Sequence, residues 1–408
     1  MAESVTEAGF REEASDFLEA NANLRVDEVT AWGEGSDKVG LFAERSREQE
    51  LADVEESKRW RQKVFDAGFG WITGPRQYGG RELPAGYERL WQSLQARYDT
   101  PSSAPFGIGL GMVAPTILAH ATPGVKDAYL RALYRGEIIG CQLFSEPGAG
   151  SDLASLQTRA ERDGDEWIVN GQKVWTSGAQ YSDIGEIICR TDPNLPKHKG
   201  LTGFVVDMHA QGVEVRPLRQ MTGGASFNEV FFNDVRVPDD HRLGDVNQGW
   251  SVALTTLMNE RAAIGGGSAG VAGIGPSRLM DLVNHLGRAG DPVLRQQIAD
   301  IWIHANVARY TNLRAMEKIK AGQLPGPEMS IAKLSMTNNL RRISSFLTST
   351  LGLRLTADTG EWGTYAWSEL ILGVPGVRVA GGTDEVMKNI VGERVLGLPK
   401  EPPVAASG

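Results

Sequence analysis

Two short stretches of this chain carry side chains suited to chemistry on a flat, polar ring. The first, Ser145-Glu146-Pro147-Gly148-Ala149-Gly150-Ser151-Asp152, puts small residues and hydroxyls on a turn where a ligand can lie against the backbone. The second, Asn170-Gly171-Gln172-Lys173-Val174-Trp175-Thr176-Ser177, ends a strand with a large aromatic plane beside two hydroxyls. Alone, the tryptophan would be a core aromatic, and a serine after glycine a turn or cap residue. Together and in order they offer a stacking wall and hydrogen bonds to a ring edge. Glu146 and Asp152 read as structural acids making local hydrogen bonds, not as bases. Further on, Leu257-Met258-Asn259-Glu260-Arg261-Ala262-Ala263-Ile264 sets one acid in a helical pattern. There Glu260 has apolar neighbours one turn away, a setting that desolvates a carboxylate and raises its pKa. The competing reading is an exposed helix acid paired with Arg261 or another surface group.

The elements that must position these groups follow from periodicity. Phe10, Phe17 and Leu18 sit at helical spacing, and Leu41 to Ala67 gives a long charged amphipathic pattern. Gly68 to Pro84 is turn-rich, then Glu88 to Tyr98 and Ala114 to Leu133 predict helices. From Ile138 to about Asp245 short β-type runs alternate with turns: Trp167 to Val169, Ile184 to Cys189, Gly203 to Val206, Gly212 to Val215 and Val230 to Phe232. Asp163-Gly164-Asp165 predicts a hairpin. After Gly249-Trp250 the helical pattern returns and runs to Arg394, with breaks at Pro325-Gly326-Pro327 and at Gly373 to Gly376. The division is 1–137 helical, 138–246 β and 247–408 helical, an α+β chain without repeats of 20–50 residues.

At 408 residues the chain is long for one core, so packed subdomains are expected. A net charge of −9 argues against a nucleic-acid partner and leaves any anionic ligand to be held by local groups. Cys141 and Cys189 are too few for a disulfide framework or a cysteine metal site and read as small buried hydrophobes. No metal site is expected. Neither a signal peptide nor a membrane span is visible, so the cytoplasm is the expected location.

The two stretches resemble the flavin-contacting segments of the acyl-CoA dehydrogenase family, and the likeness runs from Phe10-Arg11 to Gly397-Leu398-Pro399. It implies an N-terminal helical domain, a middle β-barrel-like domain and a C-terminal four-helix bundle. It also implies FAD as cofactor, an acyl-CoA thioester as substrate, a trans-2-enoyl-CoA as product and an electron-transfer flavoprotein as acceptor. A homotetramer or homodimer is the expected assembly, with a heteromer also open. By this resemblance Ser145 contacts the flavin ring, with Gln142 to Phe144 leading into it. Trp175 packs on the isoalloxazine, Ser177 bonds near N5, Thr176 lies between them, and Ser151 faces the acyl-CoA. Thr383 and Glu385 occupy positions near the ribityl-pyrophosphate arm.

Most members carry the catalytic glutamate one residue before the Gly-Thr that is here Gly382-Thr383. This chain has Gly381 there, which widens the acyl pocket. A minority supply it immediately before an arginine at the start of the bundle, which matches Glu260 as base and Arg261 as a residue orienting the bundle or the CoA side. The branch ending in Ala380-Gly381-Gly382-Thr383-Asp384-Glu385-Val386 looks actinobacterial in type and often handles bulky, branched or steroid-derived acyl groups. The usual bundle motifs for the neighbouring flavin are altered. Arg288 and Arg295 are both candidates for a pyrophosphate, and Thr350-Leu351-Gly352-Leu353 replaces a Gly-Gly segment. The alternative reading is a flavin-poor or non-catalytic subunit of a heteromeric dehydrogenase.

Overall fold

The computed structural model describes residues 5–26, 46–266, 275–320, 326–357 and 367–400, without the side chains of 261–266 and 318–320. The described residues form two compact units: those up to Arg219 together with Ala225–Thr256 make the first, and Gln220–Gly224 together with those from Leu257 onward make the second.

The first unit begins with α1 (Glu7–Asn21), β1 (Asn23–Leu24), α2 (Arg47–Asp66), α3 (Ala85–Gln95), β2 (Tyr98–Asp99), α4 (Ala114–His120) and α5 (Pro123–Arg135). The Thr6 hydroxyl caps α1, and Phe10, Ala14 and Leu18 bury one face at a spacing of four. Ser46 and Gln49 close a capping box on α2; 41–45, the predicted start of that helix, lie outside the described residues. The expected helix to Tyr98 stops at Gln95, because Tyr98 pairs with Leu24 in a short β-ladder. The run from Ala114 to Leu133 is two helices, broken where Thr122 caps α5 and Pro123 enters its first turn.

The sheet that follows contains β3 (Gly140–Leu143), β4 (Arg159–Asp163), β5 (Glu166–Ser177), β6 (Ile184–Arg190), β7 (Leu201–Asp207), β8 (Val213–Leu218), β9 (Phe227–Pro238) and β10 (Arg242–Leu243). Its order is β10-β7-β6-β4-β5-β9-β8, with β3 parallel to β6. The predicted hairpin is β4–β5, closing at Asp163 opposite Glu166 with Gly164 at φ 67°. Along β3 and β6 the side chains alternate. Cys141, Leu143, Ile187 and Cys189 enter one core with Trp167, Phe204 and Val230, and both cysteines are buried and free. Gln142 and Glu186, paired in register, take the opposite face.

α6 (Gly249–Gly266) crosses the boundary, and the second unit continues with α7 (Pro276–His285), α8 (Pro292–Lys320), α9 (Met329–Leu351), α10 (Ser368–Val379) and α11 (Asp384–Ile390). Four of these, α7 to α10, converge on one core through Leu282, Ile298, Phe346 and Leu370. The break expected at Gly373 to Gly376 does not occur. These residues, Pro375 included, continue α10, whose Leu370 and Val374 are buried in that core. Tertiary packing there overrides the local breaker signal. Of the other predicted break, Pro325 lies outside the described residues, and Gly326-Pro327 precede α9. Among the described residues no helix is long and apolar enough to cross a membrane.

Candidate active site

β3 delivers Phe144 and Ser145 directly beside the last third of β5. Val174 donates its backbone N–H to the Ser145 carbonyl at 2.9 Å, so the two sequence stretches meet as an irregular extension of the sheet. Lys173 is fully buried, and its ammonium donates to the Phe144 carbonyl at 3.0 Å and to Glu146 Oε1 at 2.8 Å. Glu146 also accepts from the backbone of Gln157 at 2.6 Å and of Thr158 at 2.8 Å. Burial alone would raise its pKa; the Lys173 charge and these donors outweigh it and hold the carboxylate below its ordinary range. Glu146 and Ala149 exchange backbone hydrogen bonds and close the turn. Asp152 is engaged by Ser155 at 2.5 Å and Lys197 at 2.7 Å. Both acids make local hydrogen bonds of the kind the sequence leads one to expect. Lys173, which the sequence reading treated only as a neighbour of Trp175, is the group that ties the stretches together.

Trp175 sits at an irregularity in the β5–β9 ladder, between Lys173 and Thr176, with φ at +62°. A non-glycine residue in the left-handed region costs about 1 kcal/mol or more, and such strain gathers at ligand sites. Its effect here is to turn the indole out of the strand alternation: the ring is 62% exposed, edge-on to Phe227 at 6.2 Å between centroids. Gly171 marks the other irregularity, at φ 151°, where a Cβ would stand 2.5 Å from the Thr158 hydroxyl. Thr176 is buried, and its hydroxyl has no partner. Its carbonyl accepts from Asn228, whose amide also bonds Gln180, which in turn bonds Glu50 of α2. Ser177 is half-buried at the strand end, before Gly178 at φ 68°. Gln142 and Ser145 are half-buried, Phe144 is buried, and Ser151 is exposed in the turn. A held, solvent-facing indole, nearby hydroxyls and a partnerless buried Thr176 oxygen fit a flat heteroaromatic cofactor.

The remaining predicted residues belong to the second unit. Glu260 is half-buried on α6; the side chain of Arg261 lies outside the described residues. Gly381 and Gly382 turn the chain with φ of 65° and 89°, and Lys333 donates to the Gly382 carbonyl at 2.6 Å and to the Arg378 carbonyl at 3.1 Å. Buried Asp384 completes the knot, accepting from Thr337 and Arg378, each at 2.8 Å. The Thr383 hydroxyl caps α11 by accepting from Val386, and Glu385 is exposed, 3.8 Å from Lys388. Arg288 bonds Asp291 at 2.9 Å, and Arg295 contacts the Ala289 carbonyl at 3.5 Å.

Sequence reasoning also passed over Glu186. It lies in the apolar run of β6, fully buried, with Oε1 in hydrogen-bond contact with the Thr256 hydroxyl at 2.5 Å while its other oxygen has no partner. Burial pushes its pKa up to about 8. An acid inside Ile184-Gly185-Glu186-Ile187-Ile188 was the available signal.

Comparison with known proteins agrees with this architecture. Residues 34–137, 141–235 and 247–396 match, respectively, the N-terminal, middle and C-terminal domain models of acyl-CoA dehydrogenase. Acyl-CoA dehydrogenase IpdE1 of Mycobacterium tuberculosis is 35% identical over 85% of this chain and 89% of its own length. Acyl-CoA dehydrogenase FadE34 of the same organism is 36% identical over 97% of this chain and 52% of its own. Among solved structures, the Tcur3481–Tcur3483 steroid ACAD superposes with a TM-score of 0.75 at 25% identity, covering 97% of this chain and 99% of that one. The ChsE4–ChsE5 complex from Mycobacterium tuberculosis gives 0.70 at 26% identity, covering 98% and 100%. The chain belongs to the acyl-CoA dehydrogenase family. It is an oxidoreductase acting on acyl-CoA thioesters, and the family binds FAD.

Proposed function

We propose that the chain dehydrogenates an acyl-CoA thioester to its trans-2-enoyl-CoA with FAD as cofactor and Glu260 as the base. The observation that carries this reading is the junction of the Phe144–Ser145 segment with the strained Trp175 bulge. Gln142, Phe144, Ser145, Trp175, Thr176 and Ser177 would hold the flavin ring, the indole as its wall and the hydroxyls at its edge. FAD, when bound, supplies an N5 that accepts the substrate β-hydrogen as hydride. Glu260 takes the α-hydrogen as a proton, and its half-buried position on α6 supports that role. Gly381 supports it from the other side, since a glycine there leaves no carboxylate at the alternative position. Ser151 and Arg261 would meet the thioester and its CoA portion, and Thr383 and Glu385 the ribityl-pyrophosphate arm. Thr383 would contribute chiefly through its backbone, because its hydroxyl already caps α11.

Electrons would leave to an electron-transfer flavoprotein. The steroid ACAD among the structural relatives favours a bulky acyl group, and the ChsE4–ChsE5 complex makes a heteromeric assembly the second reading. The engagement of Arg288 by Asp291 also supports that second reading, because it occupies one of two cations that would otherwise serve a pyrophosphate.

The test is Glu260→Gln, which should retain flavin while losing α-proton abstraction by roughly three powers of ten. Full turnover in that variant would overturn the assignment of the base.

A further inference from the structure

On the face of the sheet opposite its main core, Glu186 is the fully buried acid among the described residues, and it stands where α6 packs. Glu186 pairs in register with Gln142 on β3 and with Val205 on β7. The first half of α6 lies against the same region: Val252 closes on Gly203, where an added Cβ would stand 3.2 Å away. One turn later Thr256, fully buried, reaches Glu186 Oε1 at 2.5 Å and the hydroxyl of Thr116 at 2.9 Å. Thr116 in turn contacts the Met112 carbonyl at 2.9 Å. Among the described residues no cation pairs with Glu186, and its Oε2 is buried and partnerless.

Counting protons decides how this chain runs. Each threonine has one hydroxyl proton. A carboxylate at Glu186 would leave a charge buried with one donor, an arrangement that burial strongly disfavours. A protonated carboxyl instead donates to Thr256, Thr256 to Thr116, and Thr116 to the Met112 carbonyl. Every proton is then used once, and no charge is buried.

We propose that Glu186 is a positioning residue for the dehydrogenation: a neutral carboxylic acid whose hydrogen-bond chain through Thr256 and Thr116 fixes the rotation of α6 against the strand that carries Gln142. α6 is continuous from Gly249 to Gly266, and Glu260 follows Thr256 by four residues, so a rotation set at Thr256 is inherited by Glu260. This rests on Glu260 being the base. The raised pKa of Glu186 agrees with its neutrality. The residues facing it from β3, β7, α6 and α4 are Gln142, Val205, Thr256 and Thr116, none of which titrates. The other titratable residues on those elements and on β6 are Cys141, Asp207, Glu260, Arg261, His120, Cys189 and Arg190.

The experiment uses the full chain with its flavin and the variants Glu186→Gln, Thr256→Val, Thr256→Ser and Glu260→Gln. A folded-state pKa near 8 against an ordinary 4.5 means that folding takes up a proton between those values, so wild-type stability falls as pH rises through that window. Glu186→Gln lacks this dependence. Its Tm should therefore gain steadily on wild type from pH 5 to pH 8 and then level off, a readout that needs no activity. In turnover, assayed with whichever of octanoyl-CoA, isobutyryl-CoA or a steroid-side-chain thioester bleaches the wild-type flavin, Thr256→Val should lose kcat about tenfold with KM nearly unchanged. Thr256→Ser should restore it. A flat or falling Tm difference for Glu186→Gln, or an unchanged kcat in Thr256→Val, overturns the proposal. Glu260→Gln separates the two readings. If it is inactive while Thr256→Val is unimpaired, only the positioning role falls; if it stays active, the base assignment falls and this proposal with it.

Discussion

The Val174 backbone N–H donates to the Ser145 carbonyl at 2.9 Å, across twenty-nine positions of sequence, and makes one surface of the two stretches richest in candidate chemistry. Beneath it the Lys173–Glu146 pair is closed off from water. Removing one partner of such a pair leaves an uncompensated buried charge. Lys173→Met should therefore destabilise the chain by about 3–5 kcal/mol, read by denaturant unfolding. Adding Glu146→Leu should recover part of that loss, because the two residues share one interaction. Additive losses would show that the pair is not coupled.

The same pair sets an acid limit on stability. The pKa of Glu146 in the folded chain lies below its ordinary value, so its contribution is complete above the ordinary carboxylate range. It is lost as pH falls through the folded pKa. Melting temperatures measured downward from pH 6 should fall more steeply for the wild-type chain than for Lys173→Met/Glu146→Leu. Parallel curves would contradict this.

Trp175 gives the cleanest separation of stability from binding. With 62% of its surface exposed, the ring contributes little to the flavin-free fold. Trp175→Ala should melt within about 0.5 kcal/mol of wild type when flavin-free, while its flavin dissociation constant should rise about tenfold. Fluorescence titration with FAD provides the comparison, and unchanged affinity would remove the indole from the site.

Restoring a glutamate at position 381 should not help. Gly381 adopts φ 65°, where a side chain strains the backbone by about 1 kcal/mol or more. Gly381→Glu should lower Tm and leave turnover no higher than wild type. Higher turnover in that variant would favour a chain that has lost its base.

Much of this architecture was readable from local chemistry. The β4–β5 hairpin follows from Asp163-Gly164-Asp165, whereas the two stretches join in one site only through the family resemblance of the ordered pair, and their junction at Ser145 and Val174 has no local signal. What escaped had causes elsewhere in the chain. Gly373 to Gly376 reads as a break, yet continues as helix because Leu370 and Val374 are held in the core of α7 to α10. Lys173 looks like an ordinary charge in a strand, and Glu186 shows only as an acid in an apolar run. Their roles come from partners 27 and 70 positions away, Glu146 and Thr256, which no local pattern announces. The φ of Trp175 likewise arises from the β5–β9 ladder rather than from its neighbours in sequence.

The most direct test of the central claim is the visible absorption spectrum of the chain purified alone, recorded before and after anaerobic mixing with a panel of straight-chain, branched and steroid-side-chain acyl-CoA thioesters. A flavin spectrum near one FAD per chain, bleached by at least one thioester in wild type and by none in Glu260→Gln, is the expected result. A colourless protein that takes up no added FAD would contradict the account.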